Sequence, residues 1–212
     1  MEPAEFLDVL GRERASAILR TDDQHAAAEA MRAALRGGFR VVEFTLTIPG
    51  ALELIEEFSR AGDAVVGAGT VLEPETARAA VRAGASFLVS PVVDERVIAA
   101  AHGLGVAVVP GAHTPTEMLR AHTAGAPLQK LFPAPAGGPA YLRSLLGPLP
   151  FLRVVPTSGV DVENAPAWLD AGAFALGFVA TLFDPADVRA GAWERIEARA
   201  RAIRERVAAH RA

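Results

Sequence analysis

A repeat of glycines that end or follow predicted helices most constrains the fold of this chain. Glycine suits such a position because it adopts a left-handed backbone without steric cost. Each of these glycines precedes a short apolar run rich in β-forming residues, so the chain is a series of strand-then-helix units. The glycines stand at positions 38, 62, 84, 105, 125, 147 and 172, in steps of 20 to 25 residues.

Eight strand-then-helix units of this length predict an α/β fold. The arrangement that fits them is a (β/α)₈ TIM barrel, preceded by a short N-terminal helix over residues 5–12. We expect residues 1–212 to form this barrel as a single domain. The alternative is an open doubly wound sheet, although no G-x-G-x-x-G motif follows the first strand to indicate a dinucleotide. The predicted strands cover residues 15–20, 41–46, 64–71, 87–91, 106–110, 127–133, 152–157 and 173–177.

Composition argues against several classes of partner. The net charge is -4 and the basic residues form no block, so we expect no nucleic-acid partner. The acidic first residues are unlike a signal peptide, and no apolar run reaches the length of a membrane span, so we expect no membrane partner. The chain has no cysteine, which excludes disulfides and thiolate chemistry and fits a cytoplasmic location.

The only lysine of the chain, Lys130, lies within an apolar segment. Its neighbours Leu128, Leu131 and Phe132 are apolar, and every other basic residue is an arginine. Arginine stays protonated, whereas a lysine amine in an apolar site can lose its proton and attack a carbonyl carbon to form a Schiff base. The segment is typical of a short buried strand with one polar side chain facing inward. The alternative is an ordinary surface lysine in an arginine-rich chain.

Glu43 also lies inside an apolar run, between Val42 and Phe44. A buried carboxylate is costly unless it is used or paired. If Glu43 points inward beside Lys130, it could move protons during Schiff-base chemistry. The alternative is a structural ion pair with an arginine.

In a barrel of this type, functional side chains lie at the carboxyl ends of the strands. Arg20 ends the first predicted strand, where it could bind a substrate carboxylate or form a salt bridge at a helix start. Thr70 follows a Gly-Ala-Gly turn and could supply a hydroxyl donor, or only complete the turn. His113 is a weaker candidate at another strand end. Further candidates at strand ends are Pro91, Thr157, Ser158 and Gly159.

Other kinds of site lack support in the sequence. No pair of His, Asp or Glu residues has metal-ligand spacing, and no G-x-S-x-G motif indicates a serine nucleophile. We therefore expect no metal and no cofactor.

Six motifs occur in an order and at intervals known from one protein family. They are Glu43-Phe-Thr-Leu-Thr, Gly67-Ala-Gly-Thr-Val, Ser90-Pro, Pro110-Gly-Ala-His-Thr-Pro-Thr-Glu, Lys130-Leu-Phe-Pro and Pro156-Thr-Ser-Gly. Together they resemble the 2-keto-3-deoxy-6-phosphogluconate (KDPG) / 4-hydroxy-2-oxoglutarate (KHG) aldolases. The resemblance covers nearly the whole chain.

This resemblance implies a class I aldolase, a homotrimeric lyase of carbohydrate metabolism of the Entner–Doudoroff type, without a metal. It implies reversible cleavage of a 2-keto-3-deoxy sugar acid or 4-hydroxy-2-oxoglutarate to pyruvate and an aldehyde, so the expected partner is a small-molecule 2-oxo acid. By motif, Lys130 would be the Schiff-base lysine and Glu43 the proton shuttle. Thr70 would help to bind the pyruvate carboxylate, and Pro91 and Phe132 would shape the wall around the pyruvyl group.

Two departures from the family pattern bear on the substrate. Many members have arginine where this chain has Thr47, and a subset with threonine there has an arginine at the end of the first strand. We therefore expect Arg20 to take over the anionic contact. Members that bind a phosphate usually have Pro-Thr-Gly-Gly after the seventh strand and Gly-Ser after the eighth. Here Ser158 replaces one glycine and Val179-Ala180 replaces Gly-Ser, which weakens an anion site and favours a different, even unphosphorylated, substrate.

Two other functions stay open on the residues alone. One is another phosphosugar-type barrel enzyme, such as an isomerase, in which Lys130 only binds an anion. The other is a catalytically silent barrel that binds a metabolite or serves as a subunit of an assembly.

Overall fold

Eight parallel strands of the computed structural model, which describes residues 1–210, curl into a nearly closed barrel. Neighbouring strands follow chain order from the first to the seventh, and the eighth pairs with the first. The strands are β1 Ala15–Leu19, β2 Val41–Thr45, β3 Val65–Gly69, β4 Phe87–Ser90, β5 Ala107–Ala112, β6 Gln129–Leu131, β7 Val154–Pro156 and β8 Leu176–Phe178.

The gap between β7 and β8 is bridged rather than open. Thr157 forms an isolated parallel bridge with Gly177, and the amide of Phe174 donates to the carbonyl of Val154 at 2.9 Å. These contacts join the two ends of the sheet. The predicted (β/α)₈ barrel is therefore confirmed, and the open doubly wound sheet is wrong.

Helices follow the strands in regular alternation, and one short helix precedes the first strand as predicted. The helices are α1 Pro3–Glu13, α2 Gln24–Arg36, α3 Ala51–Ala61, α4 Pro74–Arg82, α5 Glu95–Gly103, α6 Pro115–Thr123, α7 Gly138–Leu146, α8 Ala165–Asp170, α9 Pro185–Ala190 and α10 Trp193–Ala209. None of the helices within residues 1–210 is long and apolar enough to cross a membrane.

The glycine repeat behaves as predicted at six of its seven positions. Gly38, Gly62, Gly84, Gly105, Gly125 and Gly172 all have positive φ, the conformation in which a side chain is strained. Gly147 differs, because it caps α7 with φ of -53° and ψ of -60°. Helix α7 therefore ends without a left-handed residue.

The strands have an apolar layer on each of their two faces. The larger lies between the sheet and the outer helices. The smaller fills the barrel interior, where Phe6 and Leu10 of α1 pack among inward-facing side chains of the strands. The ring of Phe6 stacks on Phe87 with centroids 4.4 Å apart. Helix α1 thus contributes apolar side chains to the barrel interior.

Candidate active site

A cavity inside the barrel brings four polar side chains together. Ser16, Glu43, Lys130 and Thr157 line it, on β1, β2, β6 and just after β7. Side chains alternate between the two faces of a strand, so the neighbours of an inward residue face the outer helices. The rest of the cavity wall is apolar and consists of Phe6, Leu10, Ile18, Val41, Phe87, Val89, Val109 and Val155.

Glu43 is fully buried in this wall, with 2% of its surface exposed. Its Oε1 atom has no hydrogen-bond partner among residues 1–210. This oxygen lies so close to Gly69 on β3 that a Cβ there would collide with it. Burial raises the pKa of Glu43, and the positive charges of Lys130 and Arg20 lower it to a smaller extent. A carboxyl group with a raised pKa and a free oxygen is suited to carrying a proton.

Lys130 is also buried, with 8% of its surface exposed, and it lines the same mostly apolar cavity as Glu43. The Nζ atom is 5.1 Å from the centroid of the Phe132 ring, within the range of a cation–π contact. On the neighbouring strands, Lys130 pairs in register with Gly111 and Val155. An amine held in such a wall can attack a carbonyl carbon that is brought within reach of it.

Arg20 and Thr70 meet at the carboxyl ends of β1 and β3. The Nη2 atom of Arg20 donates to Oγ1 of Thr70 at 3.3 Å, and Arg20 is exposed while Thr70 is half-buried. Thr70 has φ of +61°, which is unfavourable for a β-branched residue. The turn therefore holds the threonine hydroxyl and the guanidinium together beside the cavity that contains Glu43.

Pro91 and Phe132 line a second cleft rather than the interior cavity. They share it with residues at the carboxyl ends of β4 and β5, among them Gly111 and His113. The centroid of the Phe132 ring also lies 5.1 Å from the Lys130 amine, and Lys130 lines the interior cavity. The two predicted wall residues are thus brought together by the fold, next to the lysine.

The loop after β7 carries the remaining predicted residues. Thr157 is buried, Ser158 is half-buried and Gly159 is exposed. Ser158 and Gly159 both have positive φ, of 68° and 80°. Asn164 fixes the loop, because its Nδ2 donates to the carbonyl of Gly159 at 2.9 Å.

Phe178 ends β8, and the loop that follows it begins with Val179 and Ala180. Phe178 does not face the site: it is fully buried against the outer layer, edge-on to Phe39. Gly177 precedes it and faces Thr157, so the alternation along β8 sends Phe178 outward. Only Val179 and Ala180 remain at the position of the expected phosphate contacts. The hydroxyl of Thr181 is occupied, since it donates to the carbonyl of Val160 at 2.6 Å.

Ser16 also lines the cavity, although it is not among the residues predicted from the sequence. The signal was available, because Ser16 is a polar residue within an apolar strand, as Glu43 is. Within residues 1–210, no group of three His, Cys, Asp or Glu side chains is arranged to hold a metal ion.

The known proteins that this chain resembles in sequence are aldolases. A model of the KDPG and KHG aldolase family matches residues 8–199. A 2-dehydro-3-deoxy-6-phosphogalactonate aldolase of Escherichia coli (strain K12) is 39% identical over 170 residues, which are 79% of this chain and 83% of that protein. A 2-dehydro-3-deoxy-phosphogluconate aldolase of Pseudomonas aeruginosa is 35% identical over 208 residues, which are 97% and 94% of the two chains.

A solved structure adds a chemical observation on a related protein. It is a KDPG aldolase from Legionella pneumophila in which pyruvate was captured at low pH as a covalent carbinolamine intermediate. The two structures agree with a TM-score of 0.85 at 25% identity, over 93% of this chain and 97% of that one.

Proposed function

This chain belongs to the KDPG and KHG aldolase family, and we propose that it is a Schiff-base aldolase, a lyase that uses Lys130 and Glu43. The substrate class is a 2-keto-3-deoxy sugar acid or 4-hydroxy-2-oxoglutarate, cleaved reversibly to pyruvate and an aldehyde. One observation carries the assignment of residues. The only lysine of the chain and a buried carboxylate with an unpartnered oxygen line the same cavity.

The reaction begins at the lysine. The Lys130 amine adds to the C2 carbonyl of the substrate to give a carbinolamine, which loses water to form a protonated imine. Glu43, directly or through a water, takes the proton of the C4 hydroxyl. The C3–C4 bond then breaks, its electrons move into the imine, and the aldehyde leaves.

The second half of the reaction regenerates the enzyme. Glu43 returns a proton to C3 of the enamine, which restores the imine of pyruvate. Water then adds to this imine and releases pyruvate and the free lysine. A carboxyl group whose pKa is raised by burial serves both directions of proton transfer better than an ordinary surface glutamate.

The residues at the rim bind the rest of the substrate in this proposal. Arg20 and Thr70, held together by their hydrogen bond, bind the carboxylate through the guanidinium and the hydroxyl. Pro91 and Phe132 form the wall beside the pyruvyl group. The far end of the substrate lies against the loop after β7, composed of Thr157, Ser158 and Gly159.

Borohydride reduction in the presence of pyruvate tests the proposal. A Schiff base is reduced to a stable secondary amine, so the peptide that contains Lys130 gains the mass of a reduced pyruvyl group. An isomerase-like barrel or a silent metabolite-binding barrel gains no such mass. A pyruvate-release assay over a panel of 2-oxo acids then identifies the aldehyde partner.

We further propose that residues 1–212 work as one domain within a cytoplasmic homotrimer of carbohydrate metabolism. The family model spans residues 8–199, which supports a single functional unit. Four large apolar side chains are 42–50% exposed and are available to an interface between copies. Sedimentation equilibrium tests the trimer, and a monomer mass at micromolar concentration contradicts it. The exposed apolar side chains are Leu72, Val92, Leu119 and Phe151.

A further inference from the structure

The segment that follows β5 holds no assigned role in the reaction, yet it is tightly organised. The Oε2 atom of Glu117 accepts hydrogen bonds from the backbone amides of His113 at 2.9 Å and Thr114 at 2.8 Å. Thr114 and Glu117 also form a capping box at the start of α6. From the other side, the hydroxyl of Tyr141 donates to the carbonyl of His113 at 2.5 Å. The backbone at His113 is therefore fixed by both α6 and α7.

The His113 ring extends from this fixed backbone to the loop after β6. Its Nδ1 atom is 3.0 Å from the carbonyl oxygen of Pro133. A carbonyl oxygen only accepts, so Nδ1 carries the proton in this contact. The imidazolium also has a proton on Nδ1, so the bond persists when the ring is charged.

Pro133 directly follows Phe132, the residue whose ring lies 5.1 Å from the Lys130 amine. Two backbone hydrogen bonds flank this dipeptide. The amide of Phe132 donates to Ala112, and the amide of Ala134 donates to Thr157, both at 3.1 Å. Proline has no amide hydrogen, so the backbone between those bonds can be held only through the carbonyls of Phe132 and Pro133, and the Pro133 carbonyl receives such a contact. His113 supplies that contact.

We propose that His113 is a positioning residue for the wall that Phe132 forms beside the pyruvyl group. By donating a hydrogen bond to the Pro133 carbonyl, His113 fixes Phe132 beside Lys130. Phe132, His113 and Pro91 line one cleft, so the three are neighbours on the outer side of that wall. Without this bond the Phe132 ring has more freedom, and the 2-oxo acid meets a less complete wall. The inference rests on the proposed Schiff-base role of Lys130.

Substitutions at His113 separate positioning from a general structural role. His113→Ala removes the donor, and His113→Asn keeps one, because the asparagine amide nitrogen takes a place similar to Nδ1. We expect His113→Ala to raise KM and the pyruvate concentration for half-maximal trapping by about 3- to 10-fold, the value of one hydrogen bond. The value of kcat changes less, because neither Lys130 nor Glu43 is altered. His113→Asn restores most of the loss.

Two further variants serve as comparison. Tyr141→Phe removes the hydroxyl that holds the His113 carbonyl and should shift KM in the same direction by a smaller factor. His25→Ala removes an exposed histidine on α2, remote in sequence from this loop, and should match the parent. Amide hydrogen exchange over residues 134–138 should be faster in His113→Ala than in the parent and normal in His113→Asn.

The outcomes distinguish this inference from the function on which it rests. A parent protein that fails to trap pyruvate overturns the Schiff-base assignment, and the exchange measurement still decides whether His113 holds the loop. A parent that traps pyruvate, with His113→Ala equal to it in KM and in exchange, overturns the positioning role. So does a His113→Asn variant as impaired as His113→Ala.

Discussion

Lys130 and Glu43 differ from their surroundings in the same way, since each is a charged group in an apolar wall. The two residues nevertheless tolerate different replacements. A lysine needed as a nucleophile cannot be replaced by another cation, whereas a glutamate needed as a proton carrier can be replaced by a neutral isostere without loss of shape. The two residues are therefore tested by two different kinds of variant.

Lys130→Arg should abolish cleavage and pyruvate trapping while it keeps the positive charge. The guanidinium does not lose its proton, so it cannot form the imine. Circular dichroism checks that the barrel is retained, and a steady-state assay measures pyruvate release. Cleavage at a rate near that of the parent would contradict the Schiff-base proposal.

Glu43→Gln should slow turnover by roughly 10²- to 10⁴-fold, the usual contribution of a general acid–base group. Borohydride trapping should persist at least in part, because the lysine remains. A Gln variant with normal turnover but a lower melting temperature would instead show that Glu43 is structural.

The same variant makes a prediction about pH and stability. Since burial raises the pKa of Glu43, the folded protein binds a proton that the unfolded chain has lost at pH values between the ordinary and the raised pKa. The stability of the parent therefore falls as the pH rises through this window, whereas a glutamine cannot ionise. The melting temperature of Glu43→Gln should equal that of the parent at acid pH and exceed it increasingly above the ordinary glutamate pKa. Thermal melts across this range measure the difference.

Strand ends show where prediction from local sequence works and where it stops. Lys130, Glu43 and the barrel itself follow from polarity and periodicity, which are local signals. The orientation of Phe178 does not, because β8 is only three residues long and its register depends on pairing with β1. Helix α9 has no clear sequence signal for a similar reason, since six residues are too few to show a helical period. The bond between His113 and Pro133 joins loops 20 residues apart and depends on the closed barrel.

The loops after β7 and β8 determine the prediction about phosphate. A phosphate held by backbone amides and a hydroxyl gains charge-assisted hydrogen bonds of about 1.5–3 kcal/mol each. Val179 and Ala180 supply no hydroxyl, and the hydroxyl of Thr181 already donates to Val160. We therefore expect a 6-phosphate to improve kcat/KM by less than about 10²-fold.

Three substrates assayed side by side measure this preference: 2-keto-3-deoxygluconate, its 6-phosphate and 4-hydroxy-2-oxoglutarate. The double variant Val179→Gly/Ala180→Ser should raise the preference for the phosphorylated substrate. A preference above roughly 10²-fold in the parent would show that the loops bind phosphate despite these residues.

The apolar interior of the barrel is formed by the strands together with the N-terminal helix α1. Residues of α1 form part of the wall of the cavity that contains Glu43, so the N-terminal helix belongs to the surroundings of the site. Phe6 is 1% exposed and stacks on Phe87, which lines the same cavity. The low polarity that raises the pKa of Glu43 is thus produced jointly by the strands and by α1.

Phe6→Ala should change both stability and the pH dependence of the reaction. Removal of a buried phenylalanine costs about 3–5 kcal/mol, and the space left lets water approach Glu43. Hydration favours the carboxylate, so the pKa of Glu43 falls and the acid limb of the kcat/KM profile moves to lower pH. Phe6→Leu fills most of the space and should keep the limb close to its place in the parent. The acid limb reports the pKa of Glu43 because a base must be deprotonated to act. A lower melting temperature with an unmoved acid limb would therefore mean that α1 stabilises the barrel without changing the pKa of Glu43.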